Sequence, residues 1–521
     1  MRWVAAELHT HTFHSDGKQT PEALMSAAKE KGLGFIALTD HNTSSGIGSL
    51  PFLPGMEWTT YQGHMTVLGA KRFVDWRHAG PGPIDPLLRQ IRQAEGFAII
   101  AHPRGVGTPV CSGCRWEHSI LDYALLTGME IWHKDRPWAR LENQLSLKLW
   151  QGLLDEGFHL AAVSGLDWHR PGEERFAGVT LLGIHADVGH EGALDAIRHG
   201  RTIVTAGPHP SVSLEKNSKL YDIGDTAPAG SARICVKLEQ LQKQTYWADA
   251  EIHVQEVRLV SNGAKILDKQ DFAGQDALYI ELSLEPGWLN LELWGLIDGE
   301  SNRIALTSPI YIEFPTLITA HTGAMGSAAN RMEGLNELMD TGVDVVEVDV
   351  RRDNGRLCLT HDSPQPGQSC PSLNECFSLL KSKPRVRMNL DLKQPGLTGE
   401  VLKLAREHGV ASRVMYTGDI ANDDLPLILA NEIPLWFNQS LLPREERPDS
   451  LAAIRQRGLQ ILNIDRKLVG DALLKSGAAH LSVWTVNEAN ELRRLLEAGV
   501  RNITTMRPDI AMMLRKEIQG Q

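Results

Sequence analysis

At 521 residues the chain exceeds the size at which a single hydrophobic core keeps growing, so about two to four domains are expected. With 42% hydrophobic and 22% charged residues it has the composition of an ordinary globular protein, and no window nears the ~20 apolar residues that span a bilayer. A formal charge of −11 excludes a broad polyanion-binding face, so no nucleic-acid partner is expected and small substrates are favoured.

Met1 to Leu8 run straight into His9 and His11, leaving no room for the apolar core of a signal peptide. The six cysteines are spread thinly, which fits a reducing compartment, and a cytoplasmic location is expected. Oligomeric state is not legible. From Met1 to Pro208, short apolar runs such as Phe35 to Leu38, Phe97 to Ile100 and Leu160 to Val163 alternate with helical patterns, the signature of an α/β domain with parallel strands. Thr20, Pro21 and Glu22 open one helix as cap, first-turn proline and early acid, and Gly32 closes it. Cys111 and Cys114 form a C-x-x-C near His118. Without a second such pair it reads as a loop motif rather than a zinc site. Residues 209–313 switch to two-residue alternation between turns at Asn262-Gly263, Pro286-Gly287 and Asp298-Gly299, as in a β-sandwich. Residues 314–521 return to alternating strands and helices, which suggests a second barrel of TIM type.

In the first domain the chemistry-bearing residues recur at strand ends. His9 and His11 are two apart, so in an extended segment both imidazoles point the same way. Thr39-Asp40-His41, Gly55-Met56-Glu57, Gly63-His64, Ala101-His102-Pro103 and Asp167-Trp168-His169 repeat the placement, and Asp16 follows in the first loop. In β/α barrels such ends converge on one rim, and carboxylates gathered there need cations beside them. Mixed imidazole and carboxylate donors suit zinc, manganese or iron. Arg104, beside His102, and Arg170, beside His169, are candidate contacts for a substrate anion, with Arg104 set among the catalytic residues.

The series H-x-H-x-x-x-x-D-G, T-D-H-N, G-x-E, G-H, A-H-P and D-x-H resembles the PHP (polymerase and histidinol phosphatase) metallohydrolases over about residues 1–313. Arg201 to Pro208 and Thr307 to Tyr311, flanking the sandwich, are similar to the CehA/McbA-like branch. The resemblance implies a distorted barrel with two or three metals: one on His9, His11, Glu57 and Asp167, a second on Glu57, His64 and His102, and a third on Asp16, His41 and His169. Glu130 and His133 could replace or supplement His64. The implied activity is hydrolysis of a small phosphomonoester or phosphodiester by metal-activated hydroxide. A carbamate or carboxylic ester at this site, with the last barrel serving as a ligand-binding module, is the alternative.

The last domain has its own constellation: His321, Glu347 and Asp349, His361, Asp391 with Lys393, and Trp484. Glu347, Asp349 and Asp391 would give oxygen-only ligation suited to calcium or magnesium, with His321 and His361 as acid and base. Lys393 and Trp484 are candidate substrate contacts. The pattern is similar to the glycerophosphodiester phosphodiesterases over 315 to about 515. It departs from them where Thr322 stands for an expected arginine, Ala329 for an acid and Asp391 for a glutamate. A threonine cannot replace a bidentate phosphate clamp, so this second phosphodiesterase site is expected to be degenerate.

Overall fold

The computed structural model describes residues 1–521 except 44, 46–50, 81, 108–113, 186–188, 217, 239–249, 271–275, 366, 368 and 521. Cys111 of the C-x-x-C therefore lies outside the described residues. The protein is a multidomain α/β chain with two compact units, Met1–Ala227 with Ser231–Glu313, and Phe314–Gln521 grouped with the short Pro228–Gly230 stretch. No described helix is long and apolar enough to cross a membrane.

The first unit is built on β1 (Arg2–Glu7), β2 (Phe35–Leu38), β3 (Leu53–Thr60), β4 (Gly63–Leu68), β5 (Phe97–Ala101), β6 (Gly128–His133), β7 (Ala161–Gly165), β8 (Val179–Ile184) and β9 (Thr202–Thr205). Their order across the sheet is β9-β8-β1-β2-β3-β4-β5-β6-β7. Strands β4 to β8 are buried along their whole length, so their near-continuous apolar runs need no polar face. Helices α1 (Pro21–Glu30), α2 (Asp85–Gln93), α3 (Leu141–Asp155) and α4 (His190–Arg198) fall between strands. Helix α1 starts as its sequence predicts, with the Thr20 side chain accepting from the Ala23 N–H and Pro21 in the first turn.

The parallel strands expected from the sequence are joined by two reversed ones. β4 runs antiparallel to both β3 and β5, and β8 antiparallel to β1 and β9. Only Tyr61 and Gln62 separate β3 from β4, too short a link for a parallel crossover. The reversal brings the start of β4, with His64, to the rim where the parallel strands end.

The two ends of the sheet meet by side-chain bonding. The Ser164 N–H of β7 donates to Thr180 Oγ1 of β8 at 2.8 Å, and Thr202 Oγ1 of β9 donates to the Ala162 carbonyl at 2.8 Å. The Ala162 N–H donates to Ser308 Oγ at 2.8 Å, and Ser308 lies 2.7 Å from the Thr202 hydroxyl. Three hydroxyls thus close the seam of a distorted barrel. This gives a physical role to two segments noted in the sequence, since Thr202 lies in RTIVTAGP and Ser308 in TSPIY.

Between residues 211 and 313 the chain forms strands of two sheets. Lys219–Asp222, Ser211–Lys216, Gly230–Lys237 and Ala277–Leu284 pair in that order. Glu300–Thr307 instead pairs antiparallel with β9, and Gly287–Ile297 follows it, so these strands continue the first sheet. Burial alternates along Gly230–Lys237 as its sequence does.

Among its described residues the second unit holds eight strands running the same way: Leu317–Ala320, Val345–Asp353, Arg387–Leu392, Val414–Gly418, Trp436–Asn438, Ile461–Asp465, Leu481–Trp484 and Asn502–Thr505. Neighbours pair in parallel, Leu317–Ala320 pairs with Asn502–Thr505, and the Tyr416↔Leu435 bridge joins the remaining gap, making a closed TIM-type barrel. Arg356–Leu359 is an antiparallel hairpin partner outside it.

Candidate metal centre

The rim of the first barrel is assembled by short backbone links beyond the strands. The Trp168 N–H donates to the His9 carbonyl at 3.0 Å and the His11 N–H to the Trp168 carbonyl at 2.9 Å, so segments 9–11 and 167–169 run side by side. The Asn42 N–H donates to the Glu57 carbonyl at 2.9 Å, which sets His41 beside Glu57. His102 and Asp167 have positive φ, 29° and 57°, and non-glycine residues keep such backbone only where surrounding structure over-determines it.

Around this rim the side chains form three adjoining groups. His9 Nε2 is 3.2 Å from Glu57 Oε1 and 3.4 Å from Asp167 Oδ1, and His11 Nε2 is 3.0 Å from Asp167 Oδ1. On the other side of Glu57, His64 Nδ1 and His102 Nε2 lie 3.1 and 3.3 Å from Oε1. Asp16 Oδ1 sits 3.1 Å from His169 Nε2 and 3.4 Å from His41 Nε2. Within each group the donor atoms lie within 4.8 Å of one another. The sequence-predicted residues His9, His11, Asp16, His41, Glu57, His64, His102, Asp167 and His169 are therefore all brought to one place.

Second contacts fix the rings. His9 Nδ1–H donates to Glu130 Oε1 at 2.8 Å, His102 Nδ1–H to the Cys114 carbonyl at 3.1 Å, and His169 Nδ1–H to the Asp167 carbonyl at 2.7 Å, each leaving Nε2 facing the cluster. Glu130 also accepts from the His102 N–H at 2.9 Å. It stands behind the histidines rather than among the inward-facing donors. Gly165 makes room for it: a Cβ there would lie 2.2 Å from Glu130 Oε1.

The donor set fits divalent cations. His9 Nε2, His11 Nε2 and Asp167 Oδ1 are buried without a hydrogen-bond partner, although they point at a common space. Burial alone would raise the Glu57 carboxyl, but His9, His102, His41 and His64 outweigh it and hold it well below the usual carboxylate range. Asp167 is held down in the same way by His9, His11 and His133 against its own burial. Two ionised carboxylates in so dry a place need positive charge beside them.

The cluster opens into a cleft of about 1220 Å³. Arg170 lines it as expected, whereas Arg104 lines a neighbouring groove. Lys18, Lys134 and Arg140 also line the cleft and were missed in the sequence. Lys18 and Lys134 each sit within two residues of an expected or alternative ligand, the one signal that could have found them. His133, weighed only as an alternative, groups with His102 and Asp167.

At the second barrel, Glu347 is buried and accepts the Thr322 N–H at 2.9 Å, with His321 Nδ1 3.8 Å away. Burial, reinforced by Asp349 and Asp391 and opposed by His321, pushes its carboxyl up to about 7. Lys393 Nζ lies 2.9 Å from Asp349 Oδ1 and 2.5 Å from Asp391 Oδ2, so an ammonium sits between two of the three expected metal carboxylates. Asn330 donates to Asp349 at 2.8 Å. His361 is exposed and pairs with Asp362 at 3.0 Å; among the described residues it makes no hydrogen bond to Glu347, Asp349 or Asp391. Trp484 is 37% exposed at the end of its strand.

The first barrel is thus a β/α scaffold carrying a cluster of metal-binding type on its rim. Residues 7–87 match the family model of the PHP domain, and the chain carries a PHP domain at its N-terminus. It is 34% identical over 113 residues to the 5'-3' exoribonuclease Rnm of Salmonella typhimurium and 36% identical over 80 residues to that of Escherichia coli. Those alignments cover 18% and 12% of this chain and only 36% and 27% of the relatives. Among solved structures, a glycerophosphodiester phosphodiesterase from Parabacteroides distasonis aligns with 39% of this chain and 99% of its own, at 19% identity and a TM-score of 0.33. A two-domain protein containing a predicted PHP-like metal-dependent phosphoesterase, from Bacteroides vulgatus, aligns with 59% of this chain and 95% of its own, at 14% identity and a TM-score of 0.33.

Proposed function

We propose that the chain is a metal-dependent phosphoesterase, with residues 1–208 as its catalytic domain, 209–313 as a β-sandwich and 314–521 as a second barrel. The observation that carries this reading is the buried set of His9 Nε2, His11 Nε2 and Asp167 Oδ1 crowded together around Glu57 without a well-formed hydrogen bond. His9, His11, Glu57 and Asp167 would hold one ion, Glu57, His64 and His102 a second with His133 beside them, and Asp16, His41 and His169 a third. Zinc, manganese and iron suit these donors. Bound ions would supply an activated water at neutral pH and neutralise charge on the attacked group. The chain's own part is to place the substrate: Lys18, Lys134 and Arg170 face the cleft and can hold phosphate oxygens, while Glu130 keeps the His9 ring turned.

Purification without chelator, metal analysis and a screen of phosphomonoesters, phosphodiesters and carboxylic esters test the proposal. Bound metal and phosphoester turnover that falls at least 100-fold in Glu57→Gln are expected. A metal-free protein, or turnover of carboxylic esters alone, rules the proposal out.

The exoribonuclease relatives favour a second reading, in which the phosphoester is at the 5' end of a short RNA. For the second barrel we propose a weakened phosphodiesterase site, supported by the Lys393 ammonium between Asp349 and Asp391. Efficient cleavage of a glycerophosphodiester by residues 314–521 with calcium or magnesium would contradict it.

A further inference from the structure

Beside the metal cleft lies a groove of about 740 Å³ that shares Gly105 and Val106 with it. Three cations, Arg104, Arg115 and Lys148, line this groove together with Val106, Leu145 and Leu149. Arg104 and Arg115 face each other across an antiparallel bridge, held in register by the Trp116 N–H donating to the Pro103 carbonyl at 3.0 Å. Like charges directly opposite one another destabilise a strand pair. Among the described residues no carboxylate pairs with either arginine or with Lys148. Arg140 in the main cleft, by contrast, is paired with both Asp135 and Glu142.

Helix α3 connects the two spaces. Arg140, at its cap, and Glu142 line the cleft, while Leu145, Lys148 and Leu149 line the groove one to two turns further on. At 1.5 Å per residue, Lys148 stands about 12 Å along the axis from Arg140, farther than one phosphate can reach. Val106 is 80% exposed and Leu145 43% exposed, so the groove pairs uncovered apolar surface with uncompensated positive charge.

We infer that this groove binds the part of the substrate beyond the scissile bond: a further phosphate of a short phosphodiester chain, held by Arg104, Arg115 and Lys148, with a flat apolar group against Val106, Leu145 and Leu149. The inference rests on the phosphoesterase reading of the adjoining cleft and names its substrate class. A chain of phosphodiesters alternates anions with flat groups, as the groove alternates cations with apolar walls. A monoester ending at the metal cleft leaves all of these residues unused.

The test uses the full metal-loaded chain and a fluorescent, 5'-phosphorylated trinucleotide with phosphorothioate linkages. A 5'-phosphorylated mononucleoside with the same label is the reference, and binding is read by fluorescence anisotropy. The wild type is expected to bind the trinucleotide at least tenfold more tightly than the mononucleoside. Arg115→Ser with Lys148→Ser should abolish that preference, and Arg115→Lys with Lys148→Arg should keep most of it. Loss of the hold on that one further phosphate should also flatten the slope of log K against log salt by up to roughly 0.7, which a structural role for these exposed side chains would not do. Equal binding of the two probes by the wild type, or an unchanged preference in the serine variant, overturns the inference. Hydrolysis of p-nitrophenyl phosphate is measured in parallel. If it is absent while the trinucleotide preference stands, the phosphoesterase reading fails and the groove's specificity survives; the converse pattern removes the groove alone.

Discussion

Glu130 never faces the open cleft, yet it accepts from His9 Nδ1 and from the His102 backbone N–H, and so fixes the His9 ring and the His102 backbone at once. Glutamine at this position keeps the size and loses the charge. Glu130→Gln should lower metal affinity 10- to 100-fold without unfolding the protein, as read by competition against a chromophoric chelator. Unchanged affinity would show that Glu130 does not orient the ligands. Its part was only half legible in the sequence. Residues three apart on a regular strand point to opposite faces, but a bulge between Glu130 and Trp132 puts both Glu130 and His133 on the histidine side of the strand, Glu130 behind the rings and His133 among them. Nothing in Met129 to His133 announces that bulge.

Glu347 gives a pH dependence of definite sign. Its folded value of about 7 lies above the ordinary 4.5, because burial disfavours the carboxylate. The native state therefore binds the proton more tightly than the unfolded chain. The stability this contributes is complete below about pH 4.5 and is lost as pH rises through about 7, at up to roughly 1.4 kcal/mol per pH unit. In metal-free protein, Glu347→Gln should remove this component, so the melting temperature of the second unit relative to wild type should rise between pH 5 and pH 8. Parallel melting profiles over that range would refute the shift.

Among the elements, the strand ends carried most of what the sequence could say. His9, His41, Glu57, His102 and Asp167 each follow or close an apolar run, and the barrel brings those ends together. What stayed hidden was direction and brevity. Reversal of β4 follows from a two-residue link, and Trp436–Asn438 is a strand of three residues just after Pro434, too short to show periodicity. Closure of the seam was equally invisible, because hydroxyls of Thr180, Thr202 and Ser308 replace a ladder there. Ser308→Ala leaves the buried Ala162 N–H without its acceptor, a loss of about 1–3 kcal/mol. Calorimetry of residues 1–313 should show a lower melting temperature for this variant. No change would mean that the Ser308 hydroxyl does not hold the seam.

At the scale of the molecule, summed charge proved a blunt guide. A net −11 describes the whole surface and says nothing of three cations gathered in one groove. The division into two units has a direct consequence for truncation: residues 1–313 and 314–521, produced separately, should each unfold cooperatively, with metal retained by the first. Residues 1–208 alone should be unstable, since they lack Ser308 and the Glu300–Thr307 strand beside β9. A stable, metal-loaded 1–208 fragment would contradict the dependence on the seam.

That dependence also sets an order of events at the ribosome. The amide of Ala162 must wait for Ser308, 146 residues further along the chain, before it is satisfied. A nascent chain holding several histidines and carboxylates together thus stays unsealed while those intervening residues are made, a period in which chaperones or free metal ions have their best access to it.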